Sequence, residues 1–350
     1  MIIKYQKIKM GNKINKKKKL KKEQKDKNNE INVKILDTIN YEDDIYLFII
    51  IKTIYDEFNI ICINRKSSII SYNLLNKQLI NEIKKAHQSD IIDIRHYQDF
   101  SNKRDLLISL GDHSNKIKLW NLNNLECLAI ITNFHGPGES FSICFLNDNN
   151  QIYILTSHFA IYGEIDTIKI YDLNGERIKE LKDTQNVTYF IDTYFDKKTF
   201  TNYILTGNYN GIESYNYNKN EIYHTYIDKD SYSSAHNYIV VDDINIDIKL
   251  FELSNDGKIR IWNFHSGDLI NRIEINGKRF CYICLLDNEH ILAQCDDKTI
   301  KEINIKNNLI INNLIIDNED VKKMKNINHP KYGNVIISNC QKCFKLWINK

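Results

Sequence analysis

Short segments of alternating apolar and polar residues recur at a regular interval along this chain. The segment at 116–121 alternates up to a tryptophan, and near-copies lie at 258–263 and 343–348. Such alternation is typical of a β-strand. More degenerate copies share one large residue near their end, here called the marker. The seven markers, spaced 41 to 51 residues apart, are Tyr72, Trp120, Tyr171, Tyr215, Trp262, Ile303 and Trp347.

A second apolar run precedes most marker strands, and turn-forming residues separate the two. Residues 106–110 precede Trp120 across a turn at 112–115, and residues 249–253 precede Trp262 across a turn at 255–257. Two such runs joined by a short turn predict a β-hairpin. A period of about 40–50 residues with a hairpin in each unit predicts a β-propeller. We therefore predict an all-β, seven-bladed propeller, or six blades if the first unit is not one.

The repeat resembles that of the WD40-repeat family. In the copy at 254–263, Asp256 lies six residues before Trp262, and Asp297 has the same offset before Ile303. The family opens its repeats with Gly-His, and a histidine recurs near the start of several units here. The resemblance covers about residues 40–350. These histidines are His87, His135, His236 and His329.

The resemblance implies both a structural network and a function. Inside a blade, Asp, His, Ser or Thr, and Trp are expected to share hydrogen bonds. Ser114 and Gln341 replace the aspartate and Ile303 replaces the tryptophan, so the network is expected to be incomplete in some blades. The family resemblance also implies a non-catalytic scaffold or adaptor for protein–protein interaction, with other proteins as partners and no cofactor.

The two ends of the chain are expected to meet. The last unit ends soon after Trp347 and lacks room for a fourth strand, whereas 31–36 reads as a strand without a hairpin partner. We predict that residues 31–37 pair with the C-terminal blade and close the ring. The propeller would then span residues 31–350.

Residues 1–30 are predicted to be a separate, disordered, basic arm. The chain carries a net charge of +3, yet residues 1–35 hold 13 lysines and three acidic residues. Repulsion and low hydrophobicity oppose folding. An alternative function is therefore association with RNA, DNA, an acidic protein or an anionic membrane through this arm. The arm could also be a nuclear-import signal, or a solvated tail without a function. The densest lysines are Lys16, Lys17, Lys18, Lys19, Lys21 and Lys22.

No cysteine or catalytic motif indicates a chemical centre. Cys281 and Cys284 have a zinc-like spacing, but they lie in a predicted strand, where this spacing points two side chains to opposite faces. Cys340 and Cys343 flank a turn that lacks Gly and Pro. Gly-rich phosphate loops, G-x-S-x-G and H-E-x-x-H are absent from the sequence. An enzyme that uses the central channel stays a second alternative.

Segments that would direct the chain into or across a membrane are not evident. The most apolar stretch, 45–64, is interrupted by Lys52, Asp56 and Glu57, so no transmembrane segment is predicted. Early lysines argue against a secretory signal. We expect an intracellular protein, cytoplasmic or nuclear, with reduced thiols.

Two loops are predicted to form a partner-binding patch in the third unit. One is at 157–164 and is longer than the equivalent turns, and the other is at 134–139. In a propeller, the connection that enters a unit and the turn between its second and third strands lie on the same face. Exposed aromatic residues there would suit partner binding; the alternative is an insertion that folds back on its own blade. The predicted residues are His135, Phe159, Ile161 and Tyr162.

Overall fold

Twenty-nine strands and no helix make up the described part of the chain. The computed structural model describes residues 29–32, 34–41, 45–112, 116–132, 138–160, 167–181, 189–242, 247–275, 277–315, 323–339 and 343–348. The strands form seven sheets, six with four strands and one with five. The predicted all-β propeller with seven blades is confirmed.

The first three blades each contain four consecutive antiparallel strands. The first blade comprises β3 (Ile45–Lys52), β4 (Phe58–Asn64), β5 (Ile69–Asn73) and β6 (Leu79–Ile83). The second comprises β7 (Ile91–Asp99), β8 (Arg104–Gly111), β9 (Lys116–Asn121) and β10 (Glu126–Thr132). The third comprises β11 (Gly138–Asp148), β12 (Gln151–Ala160), β13 (Ile168–Tyr171) and β14 (Arg177–Leu181).

The remaining blades repeat this order, and the last one borrows a strand from the start of the chain. The fourth comprises β15 (Phe190–Asp196), β16 (Thr201–Asn208), β17 (Gly211–Asn216) and β18 (Glu221–Ile227). The fifth comprises β19 (Ala235–Val241), β20 (Lys249–Ser254), β21 (Ile259–Asn263) and β22 (Leu269–Ile273). The sixth comprises β23 (Phe280–Leu285), β24 (His290–Cys295), β25 (Thr299–Asn304), β26 (Leu309–Ile315) and β1 (Asn29–Asn32). The seventh comprises β27 (Lys323–His329), β28 (Gly333–Asn339), β29 (Cys343–Ile348) and β2 (Lys34–Asn40).

The ring closes through β2, and the segment that the sequence predicted as one strand is divided between β1 and β2. β2 pairs antiparallel with β29, with Ile35 opposite Trp347. β1 pairs in parallel with β26, with Ile31 opposite Leu314. The predicted strand at 31–37 is therefore wrong in its bounds, because its first residues belong to the sixth blade and only those from Lys34 onwards belong to the seventh. The chain thus ties two neighbouring blades together before the first blade begins.

The markers fill the space between neighbouring blades. Trp120 of β9 shares a buried cluster with Ile61 and Ile63 of the first blade. Trp347 of β29 shares one with Leu292 of the sixth blade. A four-stranded blade is too thin to bury both of its faces alone, so this packing supplies the core that each blade lacks. The other markers pack in the same way against the blade before them: Tyr72, Tyr171, Tyr215, Trp262 and Ile303.

A β-bulge recurs at the marker in all seven blades. In the first blade the register between the third and fourth strands shifts at Ser71/Tyr72, and in the fifth it shifts at Ile261/Trp262. The seventh blade has the equivalent shift between Ile35 and Asp37, opposite Trp347. A bulge increases the local twist and redirects a side chain. β2 therefore supplies the same outer-strand geometry that the other blades build from their own fourth strands.

The second blade contains the hydrogen-bond network that the resemblance implies, apart from its aspartate position, which lies outside the described residues. Trp120 Nε1 donates to Ser109 Oγ over 2.9 Å, and Ser109 Oγ lies 2.8 Å from His87 Nε2. Burial, followed by the charges of Lys118 and Lys116, lowers the pKa of His87 to about 4. The imidazole is therefore neutral at pH 7, and its Nε2 can accept the serine proton. In the seventh blade, Trp347 Nε1 donates to Ser338 over 3.1 Å.

The fifth blade places a carboxyl group at the position of that serine. Ser109 pairs with the residue two before its marker, and Glu252 holds the same register position before Trp262. Trp262 Nε1 donates to Glu252 Oε2 over 2.7 Å, and Ser254 donates to the other carboxyl oxygen. Burial raises the pKa of Glu252 to about 7, although Ser254, Arg260 and Trp262 oppose the shift.

The Glu252→Gln variant should therefore change how the stability of the fold depends on pH. A folded-state pKa near 7, against 4.5 in the unfolded chain, means that the folded protein holds the proton more tightly. Relative to the variant, the wild type should lose about 3 kcal/mol of unfolding free energy as pH rises from 4.5 through 7. Denaturant unfolding of both proteins at pH 4.5 and pH 8 measures this difference. If the unfolding free energies of the wild type and the variant differ by the same amount at both pH values, the prediction is contradicted.

Candidate functional site

The turns of the propeller define two faces. The turns between first and second strands, and between third and fourth strands, lie at one end of each blade; we call this the inner-turn face. The turns between second and third strands and the connections between blades lie at the other end, here the connection face. Turns of the third and fourth blades meet on the inner-turn face, since Asn149, Phe200 and Asn218 line one cavity. On the connection face, Ser234 bonds to Asn255.

The predicted partner patch on the connection face falls largely outside the described residues. The described residues do not include His135, Ile161 and Tyr162. They also do not include the lysines of the predicted arm, namely Lys16, Lys17, Lys18, Lys19, Lys21 and Lys22. Phe159 lies within β12, opposite Glu139 of β11. The prediction that 157–164 and 134–139 are loops throughout is therefore wrong, because the ladder between β11 and β12 continues past a bulge at Ser140/Ser142 to Ala160. Backbone pairing thus covers part of both segments.

Among the described residues, four of the six exposed aromatic side chains lie on the inner-turn face, and the other two, Tyr209 and Tyr232, lie on the connection face. Tyr55, Phe100 and Phe200 occupy the turn between the first and second strands in the first, second and fourth blades, and they are 67%, 68% and 79% exposed. Phe195, at the end of β15, is also exposed and lies edge-on to Phe200 at 6.3 Å between ring centroids. Single exposed apolar residues are common, but the same turn in three blades presents an aromatic residue.

A groove of about 690 Å³ lies beside Phe195 and Phe200 on this face. Amide side chains dominate its polar wall, and several of them are fixed by hydrogen bonds. Asn147 donates to Tyr97 Oη over 2.7 Å, and Asn202 donates to the Asn147 carbonyl over 3.1 Å. The backbone N–H of Asn202 donates to Asn218 Oδ1 over 3.1 Å. The groove therefore combines an aromatic edge with oriented amide donors and acceptors and with the charged groups of Arg95, Asp148 and Asp192.

Phe200 is held in a backbone conformation that opposes its residue type. Its φ is +52°, in the left-handed region that favours glycine and asparagine. An L-residue with a Cβ atom loses about 1–2 kcal/mol in that region. Positive φ recurs at twelve non-glycine residues of the described chain, so this conformation belongs to the turns, and what distinguishes Phe200 is the large apolar side chain that it presents to solvent.

No protein-family model matches the chain, and no curated protein matches it in sequence. The chain is a seven-bladed β-propeller. Its architecture is compatible with a WD40 family.

The central channel is the other large cavity in the described region, at about 860 Å³. The first strand of most blades contributes to its wall, which combines Phe190 and Tyr282 with charged residues. Arg95 of β7 and Asp192 of β15 line both this channel and the groove of the inner-turn face. The two cavities therefore meet at an arginine and an aspartate.

The cysteines and the remaining histidines do not gather into a metal site among the residues that the structure describes. Cys281 is exposed and Cys284 is buried, as expected for two residues on opposite faces of β23. Cys343 begins β29, while Cys340 lies outside the described residues. Asp297 bonds to Thr299 and Lys278. In the described ranges, no group of three or more His, Cys, Asp or Glu residues could hold a metal ion.

Two of the recurring histidines differ from His87 in their surroundings. His329 is buried and accepts backbone N–H bonds from Lys331 and Tyr332 at its Nδ1. His236 lines the channel, where desolvation by the surrounding protein lowers its pKa against an opposing backbone hydrogen bond with Cys281. Only His87 of the described histidines bonds to a serine that also accepts from a marker tryptophan.

Sequence reasoning did not identify the inner-turn aromatics, although a weak signal exists. Tyr55, Phe100 and Phe200 lie 15 to 20 residues before the markers of their units. An alignment of the repeats by marker would therefore have placed all three in the same turn. The cavity-lining role of Arg95 and Asp192 leaves no such signal. In the part of the chain that is described, there is no helix with the length and apolar character needed to cross a membrane.

Proposed function

We propose that this chain is a WD-repeat-type propeller that binds a protein partner on its inner-turn face. The observation that carries the proposal is the groove of about 690 Å³ bordered by the exposed rings of Phe195 and Phe200. Exposed aromatic anchors next to a cavity are the usual energetic centre of a protein interface. The His87–Ser109–Trp120 network supports the WD-repeat assignment.

The groove suits an extended peptide segment of the partner that carries an apolar side chain. Asparagine side chains both donate and accept, so they can pair with the N–H and C=O groups of an extended backbone. The rings of Phe195 and Phe200 would contact the apolar side chain. The propeller acts as a rigid support and carries out no catalytic step. Its other loops can hold further partners in one complex.

The Phe200→Asn variant tests this proposal. Asparagine tolerates positive φ, so we expect the melting temperature to stay equal to that of the wild type or to rise. Capture of partner proteins from a nuclease-treated lysate should fall at least tenfold, since an aromatic anchor contributes about 2 kcal/mol or more. Quantitative mass spectrometry of the captured proteins measures the change.

Tyr232→Asn is the matched control. Tyr232 is 65% exposed and lies in the connection between the fourth and fifth blades, on the connection face. Its replacement should leave capture unchanged. If Tyr232→Asn removes the partners and Phe200→Asn keeps them, the binding surface is on the connection face, where His135, Phe159, Ile161 and Tyr162 were predicted.

A second candidate function rests on the lysines that precede β1. Because β1 pairs with the outer strand β26, the basic segment enters the fold at the outer edge of the sixth blade. A polyanion such as RNA bound there would give affinity that falls steeply with salt. Removal of residues 1–28 should abolish that binding, while partners held by the groove should persist.

A further inference from the structure

The central channel contains a cluster of cations that the proposed protein-binding face does not use. Arg95 belongs to β7 in the second blade. Lys323 and Lys325 belong to β27 in the seventh blade, more than 200 residues later in the chain. All three line the cavity of about 860 Å³, together with Asp192. A cavity of about 300–1,000 Å³ is the usual size of a small-molecule site.

The two acidic groups of this cluster are already engaged by donors of the protein. Asp93 accepts from Arg95 Nη1 over 2.6 Å, from Ser142 Oγ over 2.8 Å and from the Ile143 N–H over 3.1 Å. Asp192 accepts from the Thr193 N–H over 2.8 Å. It also raises the pKa of Tyr238, after burial, which keeps that phenol protonated.

One nitrogen of Arg95 and the ammonium group of Lys323 are left without a partner in the described region. Arg95 Nε is buried and has no hydrogen-bond partner. Lys323 Nζ makes neither a hydrogen bond nor an ion pair among the described residues, while Lys325 Nζ donates to the Ile50 carbonyl over 3.2 Å. Arg95 Nε is costly to bury without a partner, whereas Lys323 is partly exposed and presents its ammonium to the channel. The free donors therefore point to a ligand that accepts hydrogen bonds.

The electrostatics of the two lysines agree with this reading. Burial lowers the pKa of Lys323, and Arg95 adds to the shift against the opposing charge of Asp93. Burial also lowers the pKa of Lys325, with Arg95 adding and Asp192 opposing. Three cations against two carboxylates leave the cluster with a positive excess, and an anion placed between them would relieve their repulsion.

We propose that the channel is a binding site for a small phosphoryl-type anion, held by Arg95, Lys323 and Lys325. The guanidinium supplies directional donors and the two ammonium groups supply mobile ones, a combination suited to tetrahedral oxyanions. Phe190 and Tyr282 give the same cavity an apolar wall. An organic phosphate with an apolar or aromatic body therefore fits better than a bare inorganic ion.

Calorimetry on the full chain in low-chloride buffer tests the site with three probes: inorganic phosphate, pyrophosphate and phenyl phosphate. The wild type should bind one pyrophosphate or phenyl phosphate per chain. Lys323→Met should weaken this binding about 10- to 100-fold, the usual effect of a lost charged hydrogen bond. Tighter binding of phenyl phosphate than of inorganic phosphate would identify the source as an organic ester, and equal binding would identify the free anion.

The control variant is Lys84→Met, whose side chain is 80% exposed outside the channel. It should bind like the wild type, and it shares the basic N-terminal segment, so any difference from Lys323→Met belongs to the channel. The Lys323→Met protein should melt at or above the wild-type temperature without ligand, because an unpaired ammonium is removed. Equal affinity of the wild type and Lys323→Met would overturn the site. So would binding of a phosphorylated peptide alone, with none of the three small probes bound.

Discussion

Removal of residues 1–40 should prevent the chain from forming a stable closed ring. Removal of residues 1–28 should leave the melting temperature unchanged. β2 supplies the fourth strand of the last blade, and its Ile39 is buried in the cluster that joins the seventh and first blades. Loss of Ile39, the partly buried Leu36 and the backbone ladder should cost about 5 kcal/mol or more. That is comparable to the whole stability of many domains.

A third truncation separates the contributions of the two N-terminal strands. Removal of residues 1–33 takes away β1 alone, which adds a fifth, parallel strand to a blade that already has four. This truncation should lower the melting temperature only slightly. Circular dichroism during heating and size-exclusion chromatography measure all three proteins. Equal melting temperatures for the 1–28 and 1–40 truncations would show that β2 does not close the ring.

The Asp228→Asn variant should strongly destabilise the contact between the connection that follows β18 and the fifth blade. Asp228 is buried and accepts from Arg260 Nε over 3.0 Å and from Arg272 Nη2 over 2.5 Å. The hydrogen bonds from Arg272, then those from Arg260, hold the pKa of this carboxyl well below its usual range despite burial. Neutralising it leaves the fully buried Arg260 with less charge compensation, which should cost about 3–5 kcal/mol.

Asp230→Asn is the matched control for that prediction. Asp230 accepts from the same Arg272 over 2.9 Å, but its side chain is 81% exposed. An exposed pair contributes about 0–1 kcal/mol, so the two substitutions should differ by several-fold in their cost. Chemical denaturation at pH 7 measures both. Similar losses for Asp228→Asn and Asp230→Asn would mean that burial of the pair does not govern its contribution.

The fold could be predicted from the sequence because its core is repetitive. Each marker fills the same gap between blades, so residues such as Trp120 and Trp262 recur at a readable interval. The closing segment was harder, because nothing in the local pattern separates Ile31 from Ile35, although they pair with different blades. Register across the ring depends on contacts between residues that lie hundreds of positions apart.

The candidate sites could not be predicted in the same way. Phe200 is a candidate site residue because it is exposed, has a positive φ and lies beside a cavity. None of these properties can be seen in the sequence. Arg95 and Lys323 meet because the ring brings β7 and β27 to one channel. The sequence-based patch relied on loop length, and the extended pairing of β11 with β12 removed part of that basis.

Hydrogen–deuterium exchange of the propeller, alone and with its captured partner, tests the central claim most directly. Binding at the inner-turn face predicts slower exchange at residues 53–57, 100–103, 149–150 and 197–202, with unchanged exchange around Tyr209 and Tyr232 on the connection face. Slower exchange confined to the connection face would contradict the proposed binding surface. It would favour the patch around His135 and Tyr162 as the partner-binding surface.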